Sequence, residues 1–89
     1  MPTIEEIRSF DAVARLGSMR EAAKELLVAD STVSKHVGAI ESKAAAMLFT
    51  RVKRRFVTTE RGQEIADLAR QCLEAHGALL AALAPATSR

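Results

Sequence analysis

Aromatic residues are scarce in this sequence, which has no Trp, no Tyr and three Phe in 89 residues. Strands favour aromatic and β-branched side chains, whereas alanine, which is abundant here, is the best helix former. The composition therefore favours helix over sheet. Cysteine is scarce too, and a single Cys72 excludes an internal disulfide, as is typical of proteins in the reducing cytosol.

Long hydrophobic runs are also missing. The most apolar stretch, LLAALA at residues 79–84, is far shorter than the roughly 20 residues of a membrane-spanning helix. The first ten residues, MPTIEEIRSF, contain early acids and no apolar segment of the kind found in signal peptides. We therefore expect a cytoplasmic protein with no membrane partner.

Motifs for catalysis or metal binding are not evident either, since the sequence has no glycine-rich phosphate loop and no paired catalytic carboxylates. Asp30, Ser34 and His36 are residue types of a catalytic triad, but neighbours at i, i+2 on one helix point apart. Cys72 and His76, at i, i+4, would supply two ligands, which is half of a structural zinc site. Two such residues without further ligands in the sequence are usually packing residues. We expect no enzymatic activity, no cofactor and no metal site.

Charge is unevenly distributed along the chain, although the net charge is only +2. Residues 28–61 contain seven Lys or Arg against three Asp or Glu, while residues 1–27 and 62–89 each have a net charge of −1. A localised basic segment is typical of proteins that bind a polyanion.

Two helices are predicted before this segment, of which the second is short. Thr3 with Glu6 forms a capping box ahead of an apolar stripe of period 3.6, and Gly17 is a candidate left-handed cap at the end of the first helix. Ser18 with Glu21 forms a second box, which opens a short helix with inward residues at Ala22, Ala23, Leu26 and Leu27. With a third helix after a turn of about three residues, this pattern resembles a helix-turn-helix unit.

The third helix, which begins DSTVSKHVGAIES at residue 30, is predicted to have two different faces. Val33, Val37 and Ile40 form a narrow apolar stripe, and either Asp30 or Ser31 is expected to cap the helix. The opposite face carries short polar groups and one cation, namely Ser31, Lys35, Gly38 and Ser42, flanked by Ser34. Gly38 would cost about 1 kcal/mol in a helix interior; a close approach to a partner would explain it, and so would simple tolerance.

A basic hairpin is predicted next. MLFTRV (47–52) and FVTT (56–59) have the pattern of paired strands, with Lys53, Arg54 and Arg55 between them and Arg51 just before. Turns favour Gly, Asn, Asp and Pro, none of which is present. This choice of residues favours contact with phosphate over mere solvation.

A long last helix is predicted from its cap at Thr59 to about Leu83, with Pro85 as a stop. At 1.5 Å per residue it would be roughly 35 Å long, which exceeds what a domain of this size would cover. A heptad seam of alternating steps of four and three predicts pairing with a second chain through Ile65, Ala69, Cys72, His76, Leu79 and Leu83.

These features together resemble the N-terminal DNA-binding domain of LysR-type transcriptional regulators, from about Ile4 to Leu80. The resemblance rests on FDAVARLGSMREAAKEL, TVSKHVGAIE, LFTR and TTERG. Its landmarks fall in the family's order and spacing at Gly17–Ser18, Ala22–Ala23, Val33–Ser34, Leu48–Phe49, Arg51, Thr59 and Gly62. The resemblance implies a winged helix-turn-helix whose third helix enters the major groove, and a linker helix that pairs antiparallel in a dimer.

The sequence departs from the family pattern at three places. Ser-Gln-Pro, in which the Gln often approaches bases, is replaced by residues 29–31, Ala-Asp-Ser. Asp30 could take over the cap, or its carboxylate could accept from a cytosine amine, the base donor that suits it. Leu-Gly before the wing is replaced by Ala44 and Ala45, so either the helix continues or Ala45 is strained. His36 stands where Gln is frequent.

The fold class that we predict is mainly α: a winged helix-turn-helix with a three-helix core and a two-stranded wing at 1–58, a linker dimerisation helix at 59–84 and a flexible tail at 85–89. We expect sequence-specific binding of double-stranded DNA by a homodimer on a dyad-symmetric operator, as part of a transcriptional regulator. The family's longer effector-binding domain is absent from these 89 residues. The alternative is a dimerisation module that pairs with a fuller regulator and does not contact DNA.

The expected DNA contacts fall into two groups. Those on the third helix are Asp30, Ser31, Thr32, Ser34, Lys35 and Gly38. Those on the wing, toward the DNA backbone, are Arg51, Lys53, Arg54 and Arg55.

Overall fold

The computed structural model describes residues 1–85, which form four helices and one two-stranded antiparallel sheet. In chain order the elements are α1 (Ile4–Leu16), α2 (Met19–Leu26), α3 (Asp30–Ala44), β1 (Phe49–Val52), β2 (Arg55–Thr58) and α4 (Glu60–Leu83). This arrangement confirms the predicted fold class, a three-helix core with a hairpin wing and a long last helix. Of the tail predicted at 85–89, residues 86–89 lie outside the described residues.

The ends of α1 and α2 follow local capping chemistry. The Thr3–Glu6 capping box is complete and Gly17 has a left-handed backbone with φ of 69°, as predicted. Ser18 accepts from the backbone N–H of Glu21, but the reciprocal bond is not formed, so the second box is only half present. The prediction that Leu27 faces inward is wrong, because this residue is the left-handed cap of α2 and is 90% exposed.

The core lies where α1, α2 and α3 meet the start of the hairpin and the first turns of α4. Val33, Val37 and Ile40 are all buried, as the apolar stripe of α3 predicted. Phe10 and Phe49 pack with ring centroids 5.0 Å apart. The other buried hydrophobic residues are Ala12, Val13, Ala22, Ala23, Leu48, Ala66 and Ala69.

The wing, which consists of β1, β2 and the turn between them, is a tight antiparallel hairpin. Phe49 pairs with Thr58 and Val52 pairs with Arg55, so Lys53 and Arg54 alone form the turn. Both have positive φ, 50° and 71°, as in the two-residue turns whose twist matches that of paired strands. The predicted hairpin is confirmed, but β1 begins two residues later than predicted and β2 begins and ends one residue earlier, so Arg55 lies in a strand and not between the strands.

A dense junction joins the wing to α4. The Thr59 backbone N–H donates to the Leu48 carbonyl at 3.0 Å, and its hydroxyl donates to the Met47 carbonyl at 2.9 Å. The same hydroxyl caps α4 by accepting from Gly62. A Cβ at Gly62 would lie 1.9 Å from the Leu48 oxygen, so only glycine fits at this position.

Only the first part of α4 is packed on the rest of the domain. Gly62, Ala66 and Ala69 are buried, whereas Leu79 and Leu83 are 55% and 69% exposed. The longest dimension of the described chain is 52 Å, against 24 and 19 Å in the other two directions. The predicted length and Thr59 cap of the last helix are confirmed.

Ala45 ends α3 in a left-handed conformation, with φ of 52° and ψ of 42°. The helix therefore ends here. Of the two alternatives predicted from the sequence, a continuing helix and a strained Ala45, the second is confirmed. Its N–H donates to the Ser42 carbonyl at 3.2 Å and the next N–H donates to Glu41. An L-residue other than glycine loses about 1–2 kcal/mol in this conformation.

Ala45→Gly should therefore raise the free energy of unfolding by about 1 kcal/mol or less, since the greater entropy of unfolded glycine offsets part of the relief. Denaturant titration at fixed protein concentration measures the change. Ala46→Gly is the matched control: its φ is not positive, so it should lower stability. Equal losses in the two variants would contradict strain at Ala45.

Candidate nucleic-acid interface

The polar face of α3, which we define as Ser31, Ser34, Lys35 and Gly38, is exposed to solvent along its whole length. It lies away from the buried stripe of Val33, Val37 and Ile40, so the helix rests on the core by one side only. Of the other predicted contacts on α3, Asp30 is exposed and Thr32 is half-buried. Small side chains on an exposed helix face allow the backbone to approach a flat partner closely.

Asp30 does not cap α3, and neither does Ser31. The N-cap is Ala29, which has no side-chain hydrogen bond, and Asp30 is the first helical residue. The prediction that one of these two side chains caps the helix is therefore wrong. The turn explains the shift: Leu27 ends α2 and the Val28 N–H donates to the Ala23 carbonyl at 3.0 Å, which leaves Ala29 at the cap position.

Gly38 has no packing reason to be glycine. A Cβ at this position would meet nothing within 4 Å in the described part of the chain. Alanine would fit and would favour the helix by about 1 kcal/mol. The folded chain alone therefore does not account for the glycine.

The four predicted wing cations divide into two pairs with different surroundings. Lys53 and Arg54 occupy the exposed turn, and neither side chain forms an ion pair or a hydrogen bond with another residue of 1–85. Arg51 lies over the Phe56 ring, 4.3 Å from its centroid, and donates to the Arg54 carbonyl at 3.3 Å. The Arg55 guanidinium donates to the Leu16 carbonyl at the end of α1.

Arg55 is a link between the wing and α1. A Cβ at Gly17 would lie 2.8 Å from an Arg55 guanidinium nitrogen, so glycine leaves the space that the side chain occupies. The Phe56 N–H also donates to the Gly17 carbonyl at 3.0 Å. A cation at the carboxyl end of a helix is favoured by the helix dipole, and this pair of contacts fixes the orientation of the wing.

A shallow groove separates α3 from the wing. Val37 and Glu41 line it on the side of α3, and Thr50 and Arg51 line it on the side of β1. The Glu41 carboxylate accepts from the Leu48 and Phe49 N–H groups at 3.0 and 3.3 Å. Sequence reasoning missed this role of Glu41, for which the one signal was an acid near the end of a helix in a basic segment.

Two polar contacts hold the helices of the helix-turn-helix unit together. Ser9, 1% exposed on α1, forms a 2.8 Å hydrogen bond with Nδ1 of His36 on α3. Arg15 on α1 is paired with Asp11, one turn earlier, and with Glu25 on α2. The hydrogen bond from Arg15 lowers the pKa of Glu25, so the stability that this pair contributes is lost as the pH falls through that pKa.

The predicted dimerisation seam on α4 runs from the core into solvent. Ala69 is buried, Ile65 and His76 are half-buried, and Cys72, Leu79 and Leu83 are exposed. An apolar groove beside the seam is lined by Pro2, Ile7, Phe10, Ile40, Ile65, Leu68, Ala69 and Cys72. Among residues 1–85, no three His, Cys, Asp or Glu side chains are grouped as metal ligands would be.

Within residues 1–85, no helix has the combination of length and apolarity that crossing a membrane requires.

The geometry defines a winged helix-turn-helix: α2 and α3 joined by a tight turn, followed by a hairpin whose turn carries free cations. The protein-family model described as "Bacterial regulatory helix-turn-helix protein, lysR family" matches residues 4–63. This match covers more than half of the chain, which therefore belongs to the lysR family, and it confirms the resemblance found in the sequence.

Individual relatives agree with this assignment. An uncharacterized HTH-type transcriptional regulator of Mycobacterium tuberculosis is 40% identical over 68 residues, which are 76% of this chain and 21% of the relative. The structure of a Corynebacterium glutamicum OxyR mutant matches with a TM-score of 0.86 and 25% identity, over 91% of this chain and 26% of that one. A CbnR_DBD–DNA complex matches with a TM-score of 0.78 and 31% identity, over 84% and 86% of the two chains. The chain spans about a fifth of the length of the Mycobacterium tuberculosis relative.

Proposed function

We propose that this chain binds double-stranded DNA sequence-specifically as a homodimer and acts as the DNA-binding part of a transcriptional regulator. The observation that carries the proposal is the exposed polar face of α3, together with two exposed wing-turn cations that are unpaired within residues 1–85, on a wing separated from α3 by a shallow groove. The likeness to the CbnR_DBD–DNA complex supports it. We also propose that the chain has no enzymatic role and that it is located in the cytoplasm, where bacterial DNA lies.

In this proposal α3 lies in the major groove, as recognition helices of helix-turn-helix proteins do. Ser31, Ser34 and Gly38 bring the helix close to the base edges because they are small. Lys35 is the one cation on the polar face, and its ammonium is long enough to reach guanine O6 or N7. Its neighbours Asp30 and Thr32 border the same surface at the amino end of α3.

The turn of the wing supplies contacts to the phosphate backbone. Positive φ at Lys53 and Arg54 would suit Asn and Gly, and two longer side chains there lose about 1–2 kcal/mol each. Strain of this kind is typical of functional sites. Phosphate contact explains both the two cations and their exposure. Arg51 and Arg55 are held by Phe56 and Leu16, so Lys53 and Arg54 are the stronger candidates.

Dimerisation through α4 explains the exposed leucines. In an antiparallel pair centred near residue 74, Ile65 faces Leu83 of the partner and Ala69 faces Leu79. The apolar groove along Leu68 and Ala69 would then receive the tail leucines, which the domain alone leaves exposed. Exposed apolar patches of this kind mark interaction sites. A dimer also supplies two recognition helices for a dyad-symmetric site.

The wing is tested by Lys53→Asn with Arg54→Gly, which improves the turn while removing both charges. We expect greater thermal stability, but a slope of log affinity against log salt that is smaller by roughly 0.9 per lost phosphate contact. Titration of random duplexes at several salt concentrations measures the slope. Ala45→Gly, which alters stability without altering charge, is the control. An unchanged slope in the double variant would show that the turn does not touch the backbone.

Lys35→Ala should weaken binding to the preferred site by about 1–3 kcal/mol and relax the preference at one or two base pairs. Lys43→Ala removes the same charge from the last turn of α3, away from the polar face, and should leave the preference intact. Competition between selected and random duplexes distinguishes the two variants. Equal loss on both kinds of DNA after Lys35→Ala would reduce Lys35 to a phosphate contact.

Leu79→Glu should dissociate the dimer, because a two-fold interface buries the substituted charge twice and each buried unpaired charge costs several kcal/mol. Ala81→Glu adds the same charge to the opposite face of α4 and should leave the dimer intact. Sedimentation velocity at micromolar concentration measures both. A monomeric wild type, or a Leu79→Glu variant that remains dimeric, would refute dimerisation through this seam.

A further inference from the structure

Asp30 is an exposed acid at the end of the helix that we propose to lie in the major groove. It is the first residue of α3, and its carboxylate forms no hydrogen bond and no ion pair with the rest of residues 1–85. The backbone cap belongs to Ala29. Within the described chain, therefore, the carboxylate has no specific partner beyond the favourable field that any acid in a first helical turn experiences.

The position of Asp30 in the proposed complex is the one where base contacts occur. Recognition helices contact base edges with their amino-terminal residues. Asp30 precedes Ser34 of the exposed polar face by four residues and buried Val33 by three, so it lies at the border between the two faces, with its side chain exposed. In the proposed complex the carboxylate at this exposed amino end would lie beside the base edges.

An ionised carboxylate only accepts hydrogen bonds, which restricts the bases that it tolerates. In the major groove guanine presents the acceptors O6 and N7, and thymine presents the acceptor O4. Adenine presents its N6 amine beside the acceptor N7, whereas cytosine presents only the donor N4 amine. Cytosine is therefore the one base that satisfies a carboxylate without opposing it.

We propose that Asp30 selects cytosine at one position of each half-site by accepting from its N4 amine, and excludes guanine there by repulsion. This inference rests on the proposed function. Specificity arises as much from the penalty on the wrong base as from the bond to the right one. The same charge is repelled by the phosphates of any DNA sequence. Asp30 therefore lowers the overall affinity while it raises the selectivity.

Selection from a pool of duplexes with randomised half-sites tests the inference. Wild type should require cytosine at one position, and replacing it by guanine in the selected duplex should weaken binding on the order of tenfold, as for one lost base contact. Asp30→Asn keeps the shape of the side chain and pairs best with adenine. We expect this variant to change the preferred base at that position from cytosine to adenine and to leave the other positions unchanged.

Glu60→Gln is the matched control, since Glu60 is the exposed first residue of α4 and its replacement changes net charge equally. It should select the wild-type sequence. A wild type with no cytosine requirement, or an Asp30→Asn variant that selects the wild-type sequence, overturns the inference while leaving the proposed function standing. A wild type that enriches no sequence at all overturns both.

Discussion

The close contact between Gly62 and the Leu48 carbonyl is the constraint on which the rest of the domain depends. No other residue fits there, because a Cβ would lie 1.9 Å from the oxygen. Thr59 caps α4 and at the same time donates to the Leu48 and Met47 carbonyls, so one residue fixes both the start of the helix and the start of the wing. With Glu41 accepting from the Leu48 N–H, α3, β1 and α4 have a single relative orientation. The position of α3 relative to the wing depends on these contacts.

Stability and proposed function conflict at specific backbone positions. Among residues 1–85, four residues other than glycine have positive φ, namely Leu27, Ala45, Lys53 and Arg54, and each conformation is unfavourable for an L-residue. Leu27 and Ala45 lie in the turns that flank α3, and Lys53 and Arg54 form the tip of the wing. Chains commonly retain strain where a binding surface requires a particular shape. The core, by contrast, follows ordinary packing rules throughout.

The small size of the domain explains the division of α4 into two halves. A chain of 89 residues buries a limited core, and α1 covers only the first turns of the helix. In the second half Leu79 and Leu83 remain more than half exposed. In the proposed dimer these leucines become part of a shared core, so folding and assembly would be linked and stability would depend on concentration. The proposed DNA-binding surface would then be repeated with the two-fold symmetry of the dimer.

The sequence alone determined the order of the helices, the buried stripe of α3, the hairpin and the cap of α4, because capping, periodicity and turn length are local properties. It also determined that cations occupy the wing. Only the tertiary structure decided that Arg55 binds the end of α1, that Glu41 holds the start of β1 and that Asp30 is free of a capping role. The partners of Arg55 and Glu41 lie far away in the chain or on the backbone, and backbone partners leave no trace in the pattern of side chains. The residue that becomes the cap of α3 depends on where the preceding turn ends, and the spacing of residues in the sequence does not specify this.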